Sequence, residues 1–337
     1  MRRLWLAMVG LVVVAGGQAW AEGKKTIRVA PTGAEYTTIQ AAVDASPEGG
    51  AVIRIAPGTY REVVHVDKPG VEFRGEGDDP AKVVLVFGNS AASTCGTSCS
   101  ATLFVTGKDF FAGNMTIQND YSKTTEVPSQ AVAVSVRADR AVFRKVRLLG
   151  AQDTLYASSM GCMSGSQPGK DCVTGRQYYA DCYIEGHVDF IFGDAKAVFE
   201  NCEIRSIAHA AGGYVTAQSN TRPHQDAGYV FNHCRLTAGE GAGQVYLGRP
   251  WRDYSTVIFM NTEMGSHIVP EGWSDWKSAP APRLPMATYA EFNSTGPGAN
   301  AKAREPLSKQ LTAGEAMKYE TKYYLAGSDG WDPTRIR

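Results

Sequence analysis

Phe143-Arg144-Lys145-Val146-Arg147-Leu148 sets a frame that returns down the chain as Tyr179-Ala180-Asp181-Cys182-Tyr183-Ile184, Phe199-Glu200-Asn201-Cys202-Glu203-Ile204, Phe231-Asn232-His233-Cys234-Arg235-Leu236 and Phe259-Met260-Asn261-Thr262-Glu263-Met264. A weaker copy precedes them at Ala112-Gly113-Asn114-Met115-Thr116-Ile117. In each copy a large apolar residue is followed three positions on by a small or apolar one, then two further on by an aliphatic one. Such alternation marks short strands with one face buried. The copies start 31, 36, 20, 32 and 28 residues apart. Those uneven steps point to a β-helix whose rungs carry loops of different length on one side. One rung cannot bury its apolar face alone, so stacked rungs must make the core. An antiparallel sandwich is the alternative, but two-residue hairpin signals such as Asn-Gly are scarce between the strands. The frame therefore predicts an all-β chain wound as a single-stranded parallel β-helix.

The ends of this coil are expected to carry short capping helices. Thr38 to Val43 has helical spacing, with Thr37 or Thr38 as N-cap, and Ala313 to Leu325 is a less regular candidate. Residues 265–312, rich in Pro and Gly but carrying Trp273, Trp276, Tyr289 and Phe292, read as an ordered wrap over the solenoid. A chain of 337 residues would ordinarily suggest two domains. A solenoid instead lengthens by adding rungs, so residues 22–337 are expected to form one domain.

Charge is balanced, with 34 Lys and Arg against 34 Asp and Glu, which gives no footprint for nucleic acid. Arg2 and Arg3 precede the apolar run Leu4 to Val14, and Ala19-Trp20-Ala21 supplies a small-x-small cleavage site, so residues 1–21 read as a signal peptide. The run is shorter than the ~20 residues a membrane span needs, and no later segment is apolar enough. The mature chain, from Glu22, is expected to be secreted or periplasmic, free of the membrane and monomeric. Seven cysteines in an exported chain suggest disulfides with one thiol left over. Cys95 and Cys99 are near neighbours, as are Cys162 and Cys172, while Cys182, Cys202 and Cys234 share one position of the frame. Zinc is not expected, because no C-x-x-C pair exists and the histidines show no ligand spacing.

The frame also aligns chemistry. Asp153 lies ten residues after Phe143, and Asp189 ten after Tyr179. The two therefore hold the same place in consecutive rungs, ~4.8 Å apart. Adjacent carboxylates cannot both ionise cheaply, so their pKa values should split. Each Asp could merely end its strand as a turn former, but a turn needs no Phe190-Ile191-Phe192 behind it. Arg249, in Leu247-Gly248-Arg249-Pro250-Trp251, could bind one carboxylate bidentately. Trp251 alternates to the same face and could stack on a sugar ring.

Five segments now carry a resemblance: Gly58-Thr59-Tyr60-Arg61-Glu62, Gln130-Ala131-Val132-Ala133-Val134, Gln152-Asp153-Thr154-Leu155, Gly186-His187-Val188-Asp189-Phe190-Ile191-Phe192-Gly193 and Leu247-Gly248-Arg249-Pro250-Trp251. In this order they resemble the motif set of the pectinesterases, across about residues 27–331. The resemblance implies a right-handed β-helix that removes methyl esters from homogalacturonan without metal or cofactor. It implies Asp189 as nucleophile, Asp153 as general acid and then base, and Gln130 and Gln152 as oxyanion donors. Arg249 would hold Asp189 ionised, and Trp251, Phe190 and Tyr156 would contact substrate. The family pattern, with the twenty-residue step between them, favours a Cys182–Cys202 disulfide that leaves Cys234 as a thiol. One departure is the Gly- and Ser-rich insertion Ala157 to Arg176, which bears on substrate range more than on reaction type. The rival readings are a related β-helix esterase or thioesterase acting on another acyl group, a polygalacturonase or lyase, and a non-catalytic carbohydrate-binding solenoid. The second lacks its NTD-type and GHG motifs here, and the third has no need of Asp153, Asp189 and Arg249 together.

Overall fold

The computed structural model describes residues 23–164, 167–168 and 172–337. The proposed signal peptide lies outside these residues, as does part of the insertion. Apart from the small hairpin Met163–Ser164 with Gln167–Pro168, every strand pair among the described residues runs parallel. The chain coils through three ladders of short strands. Two of them merge into one 17-stranded sheet, and the third forms a separate 7-stranded sheet, Val64–Val66 through Val245–Gly248. Parallel crossovers are right-handed almost without exception, which gives the coil its hand.

The repeat frame is the corner between the first two ladders. Its third residue is left-handed in every copy: Asn114, Lys145, Asp181, Asn201, His233 and Asn261 all have φ between 48° and 55°. That bend turns the chain by one residue, so the large residue before it and the small one after it both face inward. Phe143, Tyr179, Phe199, Phe231 and Phe259 stack in a file with ring centroids 4.5–5.0 Å apart. Burying each ring contributes about 1.5–3 kcal/mol, and each stacked pair roughly 0.5–1.5 more. Trp273 and Tyr289 of the C-terminal wrap close the file, stacked at 4.2 Å.

The small positions of the frame stack as well, but not as a disulfide. Cys182, Cys202 and Cys234 are all free and buried, so the expected Cys182–Cys202 bond is absent. The register Tyr183↔Glu203↔Arg235 sets the three cysteines one above the other. In-register parallel strands carry their Cα–Cβ bonds side by side, which keeps the Cβ atoms ~4.8 Å apart where a disulfide prefers ~3.8 Å. Each sulfur lies against carbonyls instead: Cys202 Sγ is 3.4 Å from the oxygens of both Tyr179 and Glu200. The disulfides are Cys95–Cys99 and Cys162–Cys172.

The helix Ile39–Asp44 covers the first rung with Ile39, Ala42 and Val43. Thr38 accepts from the Ala41 N–H, and the Glu62 carboxylate accepts from the N–H groups of Ile39 and Gln40. The C-terminal helices depart from expectation. They do not close the far end but lie along the outer face of the long sheet, where Ala316, Tyr319, Leu325 and Trp331 pack on Val142, Tyr178, Val198, Val230 and Ile258. That face is apolar in rung after rung and needs a cover that an end cap cannot give. Polar staples fix the tail: Asp329 pairs with Arg140 and Arg176, and Arg144 Nε donates to the Ile336 carbonyl at 2.6 Å.

Candidate active site

The outer face of the seven-stranded sheet carries the chemistry. Leu155–Ala157 lies between Val134–Val136 and Val188–Gly193, with Ser135, Tyr156 and Phe192 in register. Three residues before Tyr156 and Phe192 stand Asp153 and Asp189. The Asp153 N–H donates to the Val188 carbonyl at 3.1 Å, which sets the two aspartates on adjacent rungs. Both are left-handed, with φ 64° and 51°, a conformation that Asp tolerates better than most residues. The register between the Asp189 strand and Gly213–Gln218 slips between Val188 and Ile191. This bulge re-aims side chains: Asp189 faces out, while Phe190 and Ile191 both face the core.

Phe190 is therefore misassigned as a substrate contact, because its ring is fully buried in the main core. Phe192 takes the groove position. Tyr156 stacks on it at 4.7 Å, and Trp251 meets it edge-on at 5.9 Å. Gln130 and Gln152 sit on adjacent rungs, linked by the Ala131 N–H to the Gln152 carbonyl at 3.2 Å. Their side-chain amides are half-buried and have no hydrogen-bond partner among the described residues. Together with Asp153, Asp189, Arg249 and Trp251 they line one cleft of about 220 Å³.

Arg249 breaks the symmetry of the pair. Its Nε donates to Asp189 Oδ1 at 2.9 Å and its Nη2 to Oδ2 at 2.7 Å. The guanidinium is held between the rings of Tyr214 and Trp276, 3.9 and 4.3 Å from their centres, contacts that fix its plane. Asp153 has no such partner. Burial first, and the Asp189 charge second, push its carboxyl well above the ordinary aspartate range. Burial also raises Asp189, but there the Arg249 fork pulls the other way. An ionised acid beside a protonated one is what this asymmetry favours.

The Pectinesterase family profile matches residues 26–328. The chain belongs to the pectinesterase family. It is 36% identical over 306 residues to pectinesterase 31 of Arabidopsis thaliana, covering 87% of this chain and 89% of the relative. Among solved structures, the pectin methylesterase from carrot superposes with a TM-score of 0.80 at 30% identity, over 92% of this chain and 96% of its own. A pectin methylesterase in complex with a hexasaccharide gives 0.76 at 28%, over 93% and 99%. The enzyme is a carboxylic ester hydrolase on a parallel β-helix.

Sequence reasoning missed Thr97, Phe192, Ala217 and Trp276, which also line the cleft. The frame contained the signal for Phe192: it lies thirteen residues after Tyr179, as Tyr156 does after Phe143. Thr97 stands inside the loop closed by Cys95–Cys99, and Trp276 in the irregular wrap, where no periodicity speaks. Among the described residues no helix is long and apolar enough to cross a membrane, and no cluster of three or more His, Cys, Asp or Glu could hold a metal.

Proposed function

We propose that the enzyme removes methyl esters from homogalacturonan through a covalent intermediate on Asp189. The observation that carries the assignment is the bidentate Arg249 fork on Asp189 rather than on Asp153. A carboxylate oxygen of Asp189 attacks the ester carbonyl carbon. Negative charge builds on the carbonyl oxygen, and the unengaged amides of Gln130 and Gln152 donate to it. Asp153 gives its proton to the methoxy oxygen as the C–O bond breaks, so methanol leaves and an anhydride joins Asp189 to the galacturonyl group. Asp153, now a carboxylate, takes a proton from water as that water attacks the acyl carbon. The acid is released, Asp189 is restored and Asp153 is protonated again.

The rings of Trp251, Tyr156 and Phe192 form an apolar wall on which a sugar chain can lie. A groove of this kind suits an oligosaccharide such as the hexasaccharide of the related complex. In this reading residues 1–21 are removed on export, and the remaining chain acts as one secreted or periplasmic catalytic domain, as a monomer. The test is methanol release from methyl-esterified pectin, compared with acid release from unrelated esters and thioesters, with and without a chelator. Methanol release that a chelator leaves unchanged supports the reading. Faster turnover of a non-pectin acyl substrate, or chain cleavage as the main activity, would replace it.

A further inference from the structure

The C-terminal wrap leaves the coil at Gly248 and rejoins it at Ser255. The Ser274 N–H donates to the Gly248 carbonyl at 3.1 Å, and the Thr288 N–H to the Ser255 carbonyl at 2.8 Å. Residues 275–287 therefore bridge the same stretch, 249–254, that supplies Arg249 and Trp251 to the cleft. Trp276 is the part of this span that reaches the site: its ring lies 4.3 Å from the Arg249 guanidinium and lines the cleft. Lys277, Ser278 and Pro280 to Pro282 face solvent, and only Leu284 and Ala287, at the far end, pack on the main core. Among the described residues the span sends no backbone hydrogen bond to the coil.

One side chain ties the span down. Arg283 Nη1 donates to the Trp251 carbonyl, and its Nε lies 3.2 Å from Asp253 Oδ1. Among the described residues these are the span's only hydrogen bond and ion pair to the coil. Asp275 carries the tie on to Trp276: one carboxylate accepts from the Trp276 N–H at 2.7 Å and from the Arg283 N–H at 3.1 Å. The anchor itself needs no help. The Arg249 and Trp251 N–H groups each donate to the neighbouring strand at 3.0 Å, to the carbonyls of Thr216 and Gln218. Arg283 therefore fixes the span to the rung, and not the rung to the span.

We propose that Arg283 is a positioning residue for the hydrolysis: through Asp275 it holds Trp276 against Arg249, and so keeps the Arg249 fork in the plane that presents Asp189 to the ester. The proposal rests on the esterase reading above and adds what aligns its nucleophile from outside the cleft. Tyr214, the other ring on the guanidinium, is fixed within the strand Gly213–Gln218, so Trp276 is the ring whose place depends on a tie. Reacting groups are sensitive to displacement, and a misplacement of about 1 Å can cost on the order of a hundredfold in rate. Releasing Arg283 leaves both donors of Arg249 and both aspartates present and disturbs only their alignment, so the loss belongs in kcat rather than in KM.

The test is a double-mutant cycle on the full-length mature enzyme, read by methanol release from methyl-esterified pectin. Arg283→Met keeps the apolar stem and removes the donors; kcat should fall about five- to tenfold, with KM within about twofold of the parent. Trp276→Ala should lower kcat as well. Adding Arg283→Met to it should cost less than about twofold more, because residues that act through one another are not additive. Arg283→Lys keeps one donor for the Trp251 carbonyl, should lose less than Arg283→Met, and completes the same cycle if the methionine variant does not fold. Full additivity with Trp276→Ala, a loss confined to KM, or a lowered melting temperature with parental kcat would each overturn the proposal. Absence of methanol release by the parent enzyme would instead sink the esterase reading.

Discussion

Arg249→Lys isolates what the guanidinium fork does. The parent makes two bonds to Asp189, 2.9 and 2.7 Å long, and a lysine in the same place can make one. A hydrogen bond to a charged group is worth about 1.5–3 kcal/mol, so kcat/KM at fixed pH should fall roughly ten- to a hundredfold. The pH dependence separates this cause from misfolding. Burial already lifts the Asp189 carboxyl above the ordinary range, with Arg249 opposing. Losing one donor lifts it further, and a smaller fraction of the nucleophile is ionised on the acid side. The acid limb of the kcat/KM profile should therefore move to higher pH, with the loss deepest in acid and partly recovered as pH rises. Initial rates of methanol release across pH, alongside circular dichroism to verify the fold, read this directly. A uniform loss with an unmoved acid limb, or a rate close to the parent's, would refute the reasoning.

Further outcomes follow from the same site. Asp153→Asn should lose most activity yet melt a few degrees higher at neutral pH. The folded chain holds the Asp153 proton more tightly than the unfolded chain does, so ionisation costs stability as pH rises from the ordinary aspartate value, ~3.9, through the raised one; the gain should fade below that range, and a variant no more stable at pH 7 would count against the assignment. Gln130→Ala and Gln152→Ala should each lower kcat by roughly 10²–10³ with the fold intact, and near-parental turnover would show that the amide is not an oxyanion donor. Thiol titration of the native enzyme should find no reactive cysteine, and unfolding without reductant should expose three, Cys182, Cys202 and Cys234; only one would restore the disulfide that the sequence suggested.

What could be read in advance follows from where the chain is periodic. The frame from Phe143 to Met264 fixed the rungs, and with them the pairing of Asp153 with Asp189, because both aspartates hang from the same position of a repeat. Phe190 was assigned to substrate from the resemblance alone; alternation from the outward Asp189 already turns it inward, and the bulge, by turning Ile191 inward as well, leaves the groove position to Phe192. The Cys182–Cys202 pairing came from the family pattern and the shared frame position, and neither records that in-register strands hold the side chains parallel rather than turned toward each other. Thr97 and Trp276 sit where tertiary closure, by a disulfide loop and by the wrap, decides the neighbourhood, and a one-dimensional pattern contains no record of that.

The tail that lies along the solenoid has a consequence for biosynthesis. Rungs contact neighbours whose frames begin 20–36 residues away, so they can be laid down one at a time behind a ribosome or a translocation pore. The tail contacts cannot: Arg144 meets Ile336 across 192 residues, and Arg74 meets Arg337 across 263. Until the last turn of chain is released, the apolar outer face at Val142, Tyr178, Val198, Val230 and Ile258 stays uncovered on an otherwise assembled coil. Exposed sheet of that kind invites sticking to other chains. Trimming the last ten residues should thus show itself in the cell as lost yield and aggregation during production, while whatever coil survives still carries its catalytic cleft on a different face.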